Sequence, residues 1–425
     1  MFNILKLLCG VGQNLWKEVA EGMRKYFAAA LVLGAAWCSG TAFAAEPAKF
    51  HIGVCTGTVS QSEDELRGAE ALIRKYGDVT HGGIVNHVTY PDNFMTEQET
   101  TISQIASFAD DPLMRAVVVN QAIPGTTEAF RRIREKRPDI LLFSGDPQED
   151  PQVIDSVADL STGNDMISRG YLNVVLAKRL GCKHYVHISF PRHMSYELLS
   201  RRRKIIEQTC RDIGLGFHFE TAPDPTSDVG VAGAQQFILE KMPTWIDKYG
   251  KDTAFFCTND AQTEPMLKSI VEHGGYFIEA DLPSPLMGYP GALGLDLADV
   301  SGNFEAILKR VEDTVIARGA GGRMGVWAYS LGFTTSKALG EFAIDCIEQG
   351  VTHQKFRRYF EIPKVIKFFD AESPNSSWKG RYYADAQTDV ESKNHILILQ
   401  DTYMLGAGPQ HMTDIEVPEK YLKIH

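Results

Sequence analysis

Several familiar chemistries are missing from this 425-residue chain. It has no Walker-type loop ending in Gly-Lys-Ser or Gly-Lys-Thr, no G-x-S-x-G elbow and no H-E-x-x-H helix, which removes the recognisable phosphate cradle, serine hydrolase and zinc peptidase. Cationic charge is also short: 43 Lys and Arg stand against 54 Asp and Glu, a net charge of −11, so nucleic acid and anionic membrane surfaces are poor partners. The seven cysteines include no CxxC pair, and Cys55, Cys182, Cys210, Cys257 and Cys346 are scattered through apolar runs. They read as buried free thiols rather than a disulfide framework or a metal site. His81, His87, His184, His187 and His193 have no metal-ligand spacing either. After residue 44 no apolar run is long enough to span a bilayer.

What is present begins with an address. From Met23 the sequence reads Met-Arg-Lys, an apolar stretch to Trp37 and small residues ending Ala42-Phe43-Ala44, the three-part layout of a secretory signal with cleavage expected after Ala44. Translation is then expected to begin at Met23. Trp37 stands where an acylation site at Cys38 would need a small residue, so the expected product is soluble, exported and periplasmic.

The first stretch after the signal, FHIGVCTGTVSQSEDELRGAEAL, reads as strand, glycine-bearing loop and helix. Gly53 and Gly57 are four apart, which does not fit a dinucleotide loop. Glu63, Asp64 and Glu65 also occupy the positive end of the helix that a phosphate would need. Ser62 and Glu65 are expected to form a capping box. Further apolar strands are expected at 84–90, 114–120 and 139–145, with helices between them, giving one α/β lobe over 45–160 with a parallel sheet covered on both faces. The segment 153–165 breaks the rhythm. Strands at 184–190, 216–222, 253–259 and 276–282 then build a second α/β lobe over 161–325. A Pro/Gly-rich segment at 283–294 is expected to be the hinge, 326–350 to return to the first lobe, and 351–425 to form an extension with a late strand at 395–403, covering a hinge or an edge.

This order resembles the type I periplasmic binding proteins, the solute receptors of ABC importers, over about Phe50 to Gly350. CTNDAQ (Cys257 to Gln262) is similar to the strand-end Asn-Asp of sugar-binding members, where the aspartate accepts hydrogen bonds from ligand hydroxyls. TGTVSQSEDELRGAEAL and GRMGVWAYS look like an exported bacterial family known only as a domain of unknown function. The resemblance implies two doubly wound α/β lobes joined by a hinge, a small-molecule ligand, a membrane permease as partner, a monomer, no cofactor and no catalysis.

In open parallel sheets, ligands bind beyond the carboxyl ends of the strands. That places Thr56, Gly57, Thr58, Ser60, Gln61, Asn120, Gln121 and Asp146 on the first wall of a cleft, and Ser189, Arg192, His193, Asp224, Asn259, Asp260 and Gln262 on the second. The mixture of neutral donors and acceptors with a few carboxylates suits a neutral polyol, nucleoside or similar solute. Trp327 is expected to stack on it, while Tyr90 and Phe190 read equally as stacking surfaces or as core. Arg201, Arg202, Arg203 and Lys204 read as a solvated helix face or a transporter contact. Two other classes remain open: a hydrolase using dispersed carboxylates such as Asp146 with Asp260, and a sensor that docks on a membrane receptor.

Overall fold

A computed structural model describes residues 48–385 and 387–425; the expected signal, with its start at Met23 and cleavage after Ala44, lies outside them. Strands β1 (His51–Thr56), β2 (Val85–Thr89), β3 (Met114–Asn120), β4 (Leu141–Gly145) and β5 (Leu160–Asn164) form the parallel part of the first lobe. β12 (Glu391–Gln400) joins beside β5 in parallel and β11 (Trp378–Ala384) closes that edge in antiparallel, giving the order β11-β12-β5-β4-β3-β1-β2. Most strand positions here are buried on both faces, which is why the sequence shows continuous apolar runs rather than alternation.

In the second lobe, β6 (His184–Ser189), β7 (Gly216–Thr221), β8 (Thr253–Cys257) and β9 (Tyr276–Phe277) form a parallel sheet in the order β7-β6-β8-β9. A bridge from Phe277 to Met324 continues it towards β10 (Gly325–Trp327), which pairs with β13 (Thr402–Met404) and, beyond it, β14 (Gly408–Pro409).

Sheet membership fixes where the chain changes lobe: after β5 at 164–166, after β10 at 327–331 and after β12 at 400–402. The first lobe's sheet therefore runs on to Asn164, past the boundary expected at 160. The stretch 283–294 is not one of these crossings. Tyr289, Ala292 and Leu293 are buried in the second lobe's core, and the Tyr289 hydroxyl donates to the Gly325 carbonyl at 2.6 Å. Its prolines and glycines break regular structure, but its apolar side chains pin it down.

The helix at 331–348 returns to the first lobe and packs on the helix at 59–76. Two glycines permit the close approach. A Cβ on Gly68 would lie 2.7 Å from the Phe333 carbonyl oxygen, and one on Gly340 would lie 2.4 Å from Leu72. The extension covers the sheet edge: its two strands extend the first lobe past β5, and its last strands enter the second.

Candidate functional site

The helix pair joined at Gly68 brings the first turns of Val59–Tyr76 against the N-terminus of Leu331–Glu348. The expected capping box does not form. Ser62 takes a non-helical φ of −157° and its Oγ accepts from Gly57 N at 2.8 Å, while Glu65 turns towards Gln121, whose Nε2 donates to it at 3.1 Å. Asp64 accepts from Ser330 Oγ, itself the N-cap of the returning helix. The two carboxylates thus offset that helix's positive end.

Beside them are the ends of β3 and β4. Gln121 (φ 54°) and Asp146 (φ 43°) both adopt the left-handed region, where residues with a Cβ are strained, and such strain gathers at ligand sites. Gln121 Oε1 accepts from Gln148 Nε2 at 3.2 Å, and Asp146 Oδ1 accepts from Asn164 N at 2.8 Å. From the second lobe, Asp260 accepts from Leu282 N, at 3.5 Å, as its one partner among the described residues. Asp281 pairs with Arg202.

Their mutual influence defines one acidic pit. Burial, then the charge of Asp281, then Glu65 and Asp64 hold the Asp260 carboxyl well above its ordinary range. Burial together with Asp64 pushes Glu65 up to about 8. Burial also brings Asp146 to about 6 and raises Asp64. Asp146 and Asp260, expected from opposite lobes, are brought to the same neighbour, Asp281.

The other expected residues distribute unevenly. His193 is buried, bonds to Thr258 Oγ1 at 3.2 Å, is lowered to about 4 by burial and feels the charge of Asp281. Ser189 donates to or accepts from the same threonine hydroxyl at 2.6 Å. Arg192 is engaged by Asp224 at 2.7 and 3.0 Å, so neither brings free charge to the pit. Asn259 caps the turn that carries Asp260, accepting from Ala261 N at 3.0 Å. Gln262 is buried and donates to the Pro223 carbonyl at 3.0 Å. Thr56 bonds to His87 at 2.9 Å, Asn120 donates to Ser336 Oγ at 3.2 Å, and Thr58 and Gln61 both reach Asp92. A side chain on Gly57 would strike Ser62 Oγ at 2.5 Å. Ser60 lies in the first turn of the helix at 59–76.

Trp327 is a correction. It is wholly buried, donates from Nε1 to Glu279 at 2.8 Å and packs edge-on to Trp378, so it has no face for a solute. Tyr90 and Phe190 are core as well. Arg201 and Arg202 are not a solvated face: Arg201 donates to the carbonyls of Ala384, Leu422 and Ile424, and Arg202 lies 4.7 Å over Phe256. The five described cysteines are free and buried, with Cys55, Cys182, Cys210 and Cys257 pushed up to about 12 by burial. Sequence reasoning left Asp64 and Glu65 out of this carboxyl cluster because it had spent them on the helix N-terminus, and left out Asp281 because it read as strand interior.

No helix among the described residues is long and apolar enough to cross a membrane, and none of their His, Cys, Asp and Glu form a group of three that could hold a metal ion. Two α/β lobes, three crossings and facing strand ends are the fold that the resemblance to the type I periplasmic binding proteins implied. The chain belongs to the family described as "Protein of unknown function (DUF3798)", whose model matches residues 50–325. Two uncharacterized proteins of Treponema pallidum are similar. One is 39% identical over 211 residues, half of this chain and 95% of its own length; the other is 47% identical over 178 residues, 41% of this chain and 80% of its own. Among solved structures, a candidate transcriptional regulator from Clostridium difficile 630 shares the fold at a TM-score of 0.68 and 22% identity, over 84% of this chain and 99% of that one. A carbohydrate transporter protein from Acidothermus cellulolyticus 11B, in complex with myo-inositol, matches at a TM-score of 0.47 and 11% identity, over 72% of this chain and 89% of that one.

Proposed function

We propose that this is an exported, periplasmic solute-binding protein that captures a small polar solute between its lobes and, as a monomer, delivers it to the permease of an ABC importer. The observation that carries the reading is the pit itself. Asp146 from one lobe and Asp260 from the other both feel the charge of Asp281, and among the described residues neither is ion-paired with a cation. Asp146 and Asp260 are half-buried and accept from Asn164 and Leu282, so a solute bringing hydroxyl or amine protons can engage their remaining lone pairs. A polyol, nucleoside or similar ligand answers that description; a phosphate would bring further negative charge to carboxyls that already raise one another. The test is a thermal-shift screen of sugars, nucleosides, flavins and amino acids, in which a ligand at 100 times its Kd adds about 2.7 kcal/mol. A screen in which only anionic compounds stabilise the protein would defeat the reading.

One observation favours a second reading. Two neighbouring carboxyls, Asp146 raised to about 6 and Asp260 raised well above its ordinary range, are also how a hydrolase divides acid and base roles. Recovery of hits unchanged after long incubation argues for binding; product formation abolished by Asp146→Asn or Asp260→Asn argues for catalysis.

A further inference from the structure

One buried ion pair touches the chain at each of its three crossings. Arg169 Nε donates to Glu279 Oε1 at 2.5 Å, and both side chains are 1% exposed. Glu279 Oε2 also accepts from Trp327 Nε1 at 2.8 Å, at the start of the second crossing, and from Thr402 Oγ1 at 3.4 Å, at the end of the third. Arg169 Nη1 reaches back across the first crossing to Asn164 Oδ1 at 2.6 Å. The remaining guanidinium bonds go to the carbonyls of Ala280 at 2.6 Å and Asp281 at 2.9 Å.

The same bonds lead into the pit from both sides. Asn164, held by Arg169, is the residue whose amide fixes Asp146. Asp281, whose carbonyl Arg169 holds, carries the carboxylate that faces Asp260. A well-packed apolar pair would hold a core at least as firmly as a buried ion pair, so stability alone gives little reason for charge here. Directional bonds to separate segments do: they fix the angle at which each crossing leaves the second lobe, which apolar contact cannot do.

We infer that Arg169, acting through Glu279, is a positioning residue that binds the three crossings into a single pivot and keeps the two acidic walls in register. Its bearing on solute capture rests on the binding role proposed above; the pivot itself does not.

The test is hydrogen–deuterium exchange on the ligand-free full chain, comparing wild type with the double variant Arg169→Met/Glu279→Leu, which leaves no unpaired charge. Exchange is expected to rise about tenfold or more at 160–166, 327–331 and 398–404 together, with the interior of both sheets unchanged. If the apolar pair leaves all three segments as protected as in wild type, the ion pair is structural filling and the inference falls. Should the double variant fail to fold, Thr402→Val removes one arm alone. Loosening then extends to 327–331 through Glu279, whereas loosening confined to 398–404 overturns the pivot. Neither readout needs a ligand, so a solute screen without hits and a failed pivot are separate results.

Discussion

Glu279 and Asp260 both belong to the second lobe, one wholly buried and one half-buried, and they represent two uses of a carboxylate. Glu279 has an arginine, an indole and a threonine hydroxyl as donors. Asp260 has one amide at 3.5 Å, with three other carboxylates as its electrostatic neighbours. A carboxylate with both oxygens engaged serves architecture, because its partners hold it and it holds them. One with a single long donor among like charges is a standing cost that the fold tolerates for another purpose. The contrast is sharp enough to be broken by experiment.

The largest effect is expected at the satisfied carboxylate. Glu279→Ala leaves a buried guanidinium without its counter-charge and should cost about 3–5 kcal/mol in denaturant unfolding. Asp260→Ala, which removes a repelled charge, should leave the ligand-free protein as stable as wild type or more so. Equal losses in the two variants would erase the distinction.

In affinity the order reverses. Once the screen supplies a ligand, Asp260→Ala should weaken it by about 1.5–3 kcal/mol, roughly ten- to a hundredfold, the value of a charge-assisted hydrogen bond in a closed cleft. Trp327→Phe, which trims a core residue, should lower stability and leave the Kd within about threefold, well under 1 kcal/mol. A large Kd change in Trp327→Phe would return that ring to the site.

The two lobes and their parallel strands were legible because strands buried on both faces print unbroken apolar runs; MRAVVVN is the third strand to the residue. β5 was missed for the opposite reason. Its Leu-Ser-Thr-Gly-Asn carries little apolar signal, and its place in the sheet is set by β4 on one side and β12, some 230 residues later in the chain, on the other. β11 escaped likewise, since an edge strand that starts at Trp378 and carries Lys379 and Arg381 reads as loop. The strand-end rule picked Asp146 and Asp260, and the fold sets both near Asp281, because the rule depends on topology. It misjudged Trp327, since no local pattern tells an aromatic at a strand end from one turned into the core. Asp281 came into the pit through the loop after β9, which ends at Phe277 rather than continuing to Leu282 as its composition suggests.

The raised carboxyls also give the ligand-free protein an unusual pH response. Glu65 titrates at about 8 and Asp146 at about 6 in the folded state, against ordinary values of 4.5 and 3.8. Between those limits the folded state binds more protons than the unfolded one, so their contribution is complete below the ordinary values and is lost as pH rises through 6 and 8. Stability should therefore increase by about 1–2 kcal/mol on going from pH 8 to pH 5.5, a figure reduced from the full shifts because Asp146 is only half-buried and its share is screened by solvent. Calorimetry of the wild type against Glu65→Gln/Asp146→Asn checks it, with the slope expected to flatten in the variant.

The smallest effect lies at Asp224, which has the cation that Asp260 lacks. Burial works against its charge, but bonds from Arg192 and Thr226 outweigh that and bring its pKa down to about 2 from 3.8. The sign is opposite to that of the pit: the unfolded state binds the proton first, so the contribution is present above pH 3.8 and disappears as pH falls through 2. The pair is bidentate, with about a fifth of each side chain exposed, so solvent screening leaves it worth only ~0.5–1 kcal/mol. Asp224→Asn should cost that amount at pH 7 and nothing near pH 2, and 1 M salt should shrink the pH 7 loss. A loss that persists unchanged at pH 2 would mean that Asp224 holds its loop by shape and hydrogen bonding to Thr226 rather than by charge, and the contrast with Asp260 would then rest on Glu279 alone.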